Sequence, residues 1–366
     1  MAEETEKRKA DHIRICLEQK AQARRVTPGF EDVQFIHRAL PELDREKIDF
    51  SASFLGEKLS APLIVGAMTG GTSEATKINA SIAQAVEKFH LGMGVGSQRA
   101  AIENKKLEST YAITRKKAPT AFLIANIGGV QLAHGYGLKE ARKAVEMIEA
   151  DALAIHLNPL QEAIQPEGQT NFKEVLSKIS EIAGEIDVPV IVKETGCGIS
   201  AEDSKALESA GVKAIDVGGL GGTSFAAVEY YRSANGKKMD KAFWDWGIPT
   251  AVSLVEVTET VKVPVIASGG VRSGLDIAKS LVLNASLTSV SQPVLEAAVE
   301  GVKETQEMLS CLIDELRNAM FLVGAENPEG LTKVPAVVSG KTAEWLSIRG
   351  FDITKFAERS TLRFEY

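Results

Sequence analysis

The 366-residue chain has little cysteine: Cys16, Cys197 and Cys311, far apart in sequence. That spacing offers no metal-binding cysteine cluster, and an odd count argues against a disulfide framework. A reducing cytoplasm is the expected setting. Long apolar runs are also missing. No stretch reaches the about 18 apolar residues of a membrane span. Residues 1–9 are charged and lack the apolar core of a signal peptide. Positive charge is not in excess either. Lys and Arg number 42 against 49 Asp and Glu, a net charge of −7, so no nucleic-acid or membrane partner is expected. An anionic ligand has to be gripped by local groups.

What the chain does contain is a repeated alternation. Hydrophobic residues make up 44% and charged residues 25%, an ordinary balance for a globular protein. Short apolar runs end in Gly, Ser, Thr or Asn at 62–71, 91–98, 121–129, 152–158, 188–195, 213–219, 263–270 and 286–292. Continuous rather than alternating apolar residues mark parallel strands buried on both faces. Helical spacing follows several of them, over 74–90, 138–150, 201–211 and 273–283. Ser200 is a candidate N-cap and Gly211 a candidate C′ residue. Eight such units predict a (β/α)8 TIM barrel in a single domain. Residues 1–61 precede the barrel, 62–324 form it with one or two last helices over 293–324, and 325–366 make a tail. Residues 220–250 read as a long insertion whose aromatic content points to function rather than disorder.

The strand ends predict where the site lies. In such a barrel the C-terminal ends of the strands line it. Those ends carry Met68, Thr69 and Gly70; Ser97, Gln98 and Arg99; Asn126; His156, Asn158, Gln161 and Glu162; Lys193 and Glu194; Gly218 and Gly219; and Gly269, Gly270 and Arg272. The opposite ends read Ala61-Pro62, Val188-Pro189 and Val263-Pro264. Gly269 and Gly270, just before a helix, allow backbone N–H groups to approach a phosphate, with Arg272 as a bidentate partner. Lys193 ends an apolar strand and points into the barrel mouth or is capped by a carboxylate such as Glu194. Two roles fit it: a Schiff-base lysine, or a cation facing an electron-rich ring. Glu162 can hold Mg²⁺ together with ligand phosphate oxygens.

Together these motifs closely resemble the type 2, FMN-dependent isopentenyl-diphosphate isomerases. The match rests on RKADH (8–12), GAMTGGT (66–72), GSQR (96–99), IANIGGVQL (124–132), IHLNPLQEAIQPEG (155–168), VKETGCGIS (192–200), DVGGLGGTSFAAVE (216–229), WDWGIPTA (244–251) and ASGGVRSGLD (267–276). The resemblance implies interconversion of isopentenyl and dimethylallyl diphosphate with reduced FMN, Mg²⁺ and NADPH as the flavin's reductant. It implies flavin contacts from Ala67, Met68, Thr69, Ser97, Asn126, Lys193 and Thr223, with Gly270, Val271 and Arg272 on the phosphate. It implies substrate contacts from Arg8, Lys9, Ser97, Gln98, Arg99, His156, Asn158 and Gln161, and Mg²⁺ on Glu162. In that family the N-terminal segment folds over the ligand. No side chain stands out as acid or base toward carbon; the flavin is implied in that role, with His156 and Gln161 in support. A homo-oligomer, tetramer or octamer, is implied as well. One segment departs from the family. Where it usually has Gly-Ala-Asp before the eighth strand and a Gly within it, this chain reads NASLTSVSQPVL over 284–295. The other half of the phosphate cup then falls on the backbone of Ser291 and Gln292. The competing reading is an FMN oxidoreductase of the hydroxyacid-oxidase or dihydroorotate-dehydrogenase kind, which needs neither Glu162 with Mg²⁺ nor a diphosphate-gripping N-terminus. A silent flavin-binding scaffold is the non-enzyme alternative.

Overall fold

Eight parallel strands close into a barrel in the computed structural model, which describes residues 2–232 and 241–359. Two short strand pairs lie outside it, so numbering in chain order starts before the barrel. Strand β1 is Val33–Phe35, and β2 and β3 are Ala52–Phe54 and Glu57–Leu59. The barrel strands are β4 Leu63–Val65, β5 Gly92–Gly94, β6 Phe122–Gly128, β7 Ala152–Leu157, β8 Val190–Glu194, β9 Ala214–Asp216, β10 Val265–Ala267 and β11 Leu287–Val290. Each lies within one of the eight apolar runs. The barrel closes where Thr288 pairs with Leu63. Strand β12 is Ala336–Val338.

Local chemistry explains the helices. Ser73–Phe89 starts at Thr72, whose side chain accepts the Ala75 N–H, and it buries Ile78, Ile82, Ala85 and Val86 against the barrel. Ala201–Ser209 is capped by Ser200, which accepts the Asp203 N–H. Gly211 takes φ +88° after it, as a C′ glycine does. Gly274–Val282 carries a full capping box from Ser273 and Asp276. After β11, Gln292–Glu300 and Val302–Val323 complete the ring. No described helix is long and apolar enough to cross a membrane.

The flanking segments divide differently from the expected plan. Residues 1–61 are not one covering segment. The helix Ala2–Glu18 and the residues just after it reach the C-terminal mouth of the barrel. Strand β1 pairs antiparallel with β12, joining the leader to the tail. The β2–β3 hairpin puts Phe54 and Leu59 into a cluster with Ile64, Phe122, Ile124, Ala152 and Ile191. It plugs the barrel core from the other end. The tail docks through Arg349, which bonds the buried Glu256 and the exposed Glu202.

Candidate active site

A cavity of about 300 Å³ opens at the C-terminal ends of the strands. Of the residues expected there, Ala67, Met68, Thr69, Ser97, Arg99, Asn126, His156, Asn158, Gln161, Glu162, Lys193, Thr223, Gly270, Val271, Arg272, Ser291 and Gln292 line it, and Arg8 and Lys9 reach in from the N-terminal helix. Gln98 does not. Its side chain turns outward, where Oε1 accepts the Asn126 N–H at 2.8 Å and Nε2 donates to Ala144 O at 2.8 Å. Consecutive residues leaving a strand face opposite ways, so Ser97 and Gln98 are not both turned to the mouth.

One side of the cavity is an anion cup built from glycine. Gly269 and Gly270 take φ +102° and +74°, conformations side chains resist. A Cβ on Gly222 would sit 2.6 Å from Gly270 N, so these two loops touch through bare backbone. Arg272 arches over the cup, donating to Gly270 O at 3.1 Å and to Gln22 Oε1 at 2.9 Å. The helix Gln292–Glu300 aims its N-terminus here from Ser291. The altered 284–295 segment thus still supplies a helix start, and a Cβ on Gly66 would meet Ser291 Oγ at 2.2 Å and Ser289 Oγ at 2.8 Å. Two small hydroxyls occupy the space opposite Gly66.

The middle of the floor carries Lys193, Asn126 and His156. Lys193 Nζ donates to Glu194 O at 2.8 Å and lies 3.9 Å from Asp216 Oδ2. The expected Glu194 cap is therefore replaced by Asp216. The Glu194 carboxylate is bound elsewhere: its Oε2 accepts the backbone N–H groups of Thr195, Gly196 and Cys197. Burial raises Glu194 to about 7, against the opposing pull of those N–H groups and Lys193. His156 Nδ1 lies 2.8 Å from Asn126 Oδ1. Asn126 Nδ2 is committed to Val95 O at 3.0 Å, which assigns Oδ1 as the acceptor and the ring proton to Nδ1. Burial, then the charge on Lys193, push His156 down to about 3, so it is neutral. Thr69, which lines the cavity, has a buried Oγ1 with no hydrogen-bond partner among the described residues. A phosphate cup, a cation and an orphaned hydroxyl in one cavity fit a phosphorylated heteroaromatic cofactor.

The far side carries cations and an oxygen cluster. Lys9 Nζ donates to Ser97 O at 2.6 Å and to the Tyr111 hydroxyl, which itself donates to Ser97 O at 2.7 Å. Burial, with Arg8 adding, lowers Lys9 to about 7. Arg8 lies 3.5 Å from Glu167. Arg99 is held by Glu103 at 2.8 Å. Glu162 is buried, accepting from Asn158 Nδ2 at 3.1 Å, Gln165 Nε2 at 2.9 Å and Gln169 N at 2.6 Å. Asn158 Oδ1 beside it has no hydrogen-bond partner among the described residues. Among the described residues no three His, Cys, Asp or Glu side chains gather as a metal cage. One carboxylate with a free amide oxygen still fits a hard cation that keeps most of its ligands from a bound phosphate.

Four residues were not anticipated in these roles: His12 and Asp216, which line the cavity, and Glu229 and Tyr111, which lie behind the lining. His12 meets the buried Glu229 at 3.0 Å, and Glu229 also accepts from Arg232 at 2.7 Å. Together they tie the covering helix to Phe225–Arg232. Tyr111 and Asp216 act from beneath Lys9 and Lys193. The pairing of an acidic residue in DVGG with a strand-end lysine was the available signal for Asp216.

Fold and cavity define a barrel of the flavin-holding class: residues 1–117 and 138–335 match the model of the FMN-dependent dehydrogenase family. In solved structures, lactate oxidase from Pediococcus acidilactici has a TM-score of 0.64 at 19% identity, covering 93% of this chain and 94% of its own. Mandelate oxidase gives 0.61 at 19% identity, over 92% and 98%. At that distance the likeness establishes the fold alone. Closer relatives are named isopentenyl-diphosphate delta-isomerase. The protein from Methanothermobacter thermautotrophicus is 51% identical over 96% of this chain and 99% of its own length. Those from Methanosarcina barkeri and Pyrococcus furiosus are 49% and 48% identical, each over 98% of this chain, and over 98% and 93% of their own lengths. The chain belongs to the isopentenyl-diphosphate delta-isomerase family.

Proposed function

We propose that this chain interconverts isopentenyl and dimethylallyl diphosphate, using bound FMN. The observation that carries the reading is the pairing, in one cavity, of two separate anion holders. The glycine cup with Arg272 lies on one side, and Arg8, Lys9, Arg99 and Glu162 lie on the other. A flavin phosphate and a substrate diphosphate need such a pair. A hydroxyacid oxidase needs only the first.

The cup binds the flavin phosphate through the N–H groups of Gly270, Val271, Ser291 and Gln292 and through Arg272. Ala67, Met68, Thr69, Ser97, Asn126 and Thr223 border the ring, and Lys193 lends a positive charge beside it. When bound and reduced, with NADPH as electron source, FMN supplies acid–base chemistry toward carbon. The chain's part is to position and to exclude water. The hydrocarbon half of the substrate offers no polar handle, so the diphosphate must anchor it. Arg8, Lys9, Arg99, Asn158 and Gln161 hold that anchor, and Glu162 shares Mg²⁺ with its oxygens. His156 is neutral, so it orients through its fixed tautomer rather than as a cation. The resemblance also supports a cytoplasmic homo-oligomer, tetramer or octamer, which sedimentation velocity checks.

The deciding experiment incubates purified protein, FMN, Mg²⁺ and NADPH with isopentenyl diphosphate. Dimethylallyl diphosphate is the expected product, with no net reoxidation of the flavin. No product while flavin is bound and reduced rejects the reading. Reoxidation in step with turnover would point to an oxidoreductase. Full activity with 5-deazaFMN would reject the flavin's acid–base role.

A further inference from the structure

Asp216 is the last residue of β9 and pairs in register with Lys193 on β8. It is 4% exposed. Its Oδ1 accepts the Ser268 hydroxyl proton and the Gly218 N–H at 3.3 Å. Ser268 Oγ also accepts the Gly218 N–H at 3.0 Å. These contacts fix the carboxylate so that Oδ2 faces Lys193 Nζ at 3.9 Å. The ammonium has three N–H groups. One goes to Glu194 O, one leans toward Asp216, and the cavity that both residues line receives the rest. Asparagine would fill the same volume and keep the Ser268 and Gly218 contacts, so packing alone does not call for a negative charge. Burying a carboxylate is unfavourable unless it is paired. Among the described residues its one ion-pair partner is Lys193, the lysine beside the proposed flavin.

We propose that Asp216 is a positioning residue acting through Lys193: it holds the ammonium over the cavity and partly cancels its charge, setting how strongly the site favours negative charge on the bound flavin. This rests on FMN occupying the cavity. Lys193 alone stabilises the reduced anion, and Asp216 opposes it at short range. Removing the carboxylate charge therefore makes the flavin easier to reduce.

The test measures the two-electron midpoint potential of FMN in the wild-type, D216N and S268A holoproteins by equilibration with reference dyes. D216N shifts the reduction equilibrium toward reduced flavin by about tenfold, which is about 30 mV for two electrons. S268A keeps both charges but frees Oδ1, leaving more negative charge to face Lys193. Its potential moves the opposite way, by less. A D216N potential that is unchanged or lower, with FMN bound, overturns the proposal. If D216N does not fold, S268A decides alone: an unchanged or raised potential overturns it. Wild-type protein that binds no FMN overturns this proposal together with the flavin reading. Wild-type protein that binds FMN but does not isomerise isopentenyl diphosphate fails only as an isomerase, and the potentials still decide Asp216.

Discussion

With Lys9 holding the diphosphate as proposed, binding should depend on pH, and Lys9→Arg should remove the dependence. Lys9 Nζ is buried with two neutral partners, Ser97 O and the Tyr111 hydroxyl. Burial and Arg8 hold it at about 7 in the empty site. A bound diphosphate supplies the missing counter-charge and returns Lys9 toward its ordinary range near 10.4. The complex then holds one more proton than the free closed protein at any pH between these values. Affinity is flat below about pH 7 and falls about tenfold per pH unit above it. From pH 7, where half of Lys9 is already neutral, to pH 9 that is about 50-fold, or about 2.3 kcal/mol. Other titrating groups facing Lys9 do not mimic this. Burial raises Tyr111, which stays protonated, and His156 is neutral throughout. An arginine at position 9 keeps its charge at every pH tested. The assay is calorimetric titration with inorganic pyrophosphate and Mg²⁺ from pH 6 to 9. The ratio of wild-type to K9R affinity cancels the ligand's own ionisation. A ratio that stays constant across the range refutes the reasoning. The same depression has a second sign. Without ligand, docking of the N-terminal helix weakens as pH falls from about 10.4 to about 7 and is flat below that, where Lys9 is charged whether docked or not.

Gly70→Ala should lower thermal stability, because the added Cβ would sit 2.0 Å from a ring carbon of the fully buried Tyr111. Overpacking of this kind costs about 1–3 kcal/mol, and an unchanged melting temperature would show that the ring gives way freely. Arg272→Ala should weaken FMN binding about 10- to 100-fold, the size of a lost charge-assisted hydrogen bond, read by flavin fluorescence quenching. Equal affinity would move the phosphate out of the glycine cup. Gln98→Ala removes the acceptor of the buried Asn126 N–H and the donor to Ala144 O. Chemical denaturation should register a loss of about 1–3 kcal/mol, while KM for isopentenyl diphosphate holds steady. A raised KM at unchanged stability would return Gln98 to the substrate site.

The barrel was readable because strands covered on both faces have no polar alternation to preserve, and stretches such as 121–125 and 152–155 are apolar throughout. Helix ends at Ser200, Gly211 and Ser273 were readable because capping is local chemistry. The leader and tail were not. Strands β1 and β12 are three residues each and lie about 300 residues apart in sequence, and so short a run carries no period. Side-chain direction at the strand ends was also hidden. Ser97 and Gln98 differ by one residue, yet one lines the cavity and the other is locked outside it. Long-range supports escaped for the same reason: nothing local links Tyr111 to Lys9, 102 positions away, or Glu229 to His12, 217 away.

The chain just after the covering helix is sewn to the loop that borders the glycine cup. Gln22 bridges to Thr223, Ala23 N–H donates to Gly222 O at 3.0 Å, and Ser224 N–H donates to Ala21 O at 2.8 Å. Arg272 adds its bond to Gln22 from the cup itself. A phosphate held by Arg272 and the 222–223 loop would also brace the chain that carries Arg8 and Lys9. The two anions are then expected to load in sequence, flavin first and the diphosphate second, into a mouth whose cover already has its anchorage.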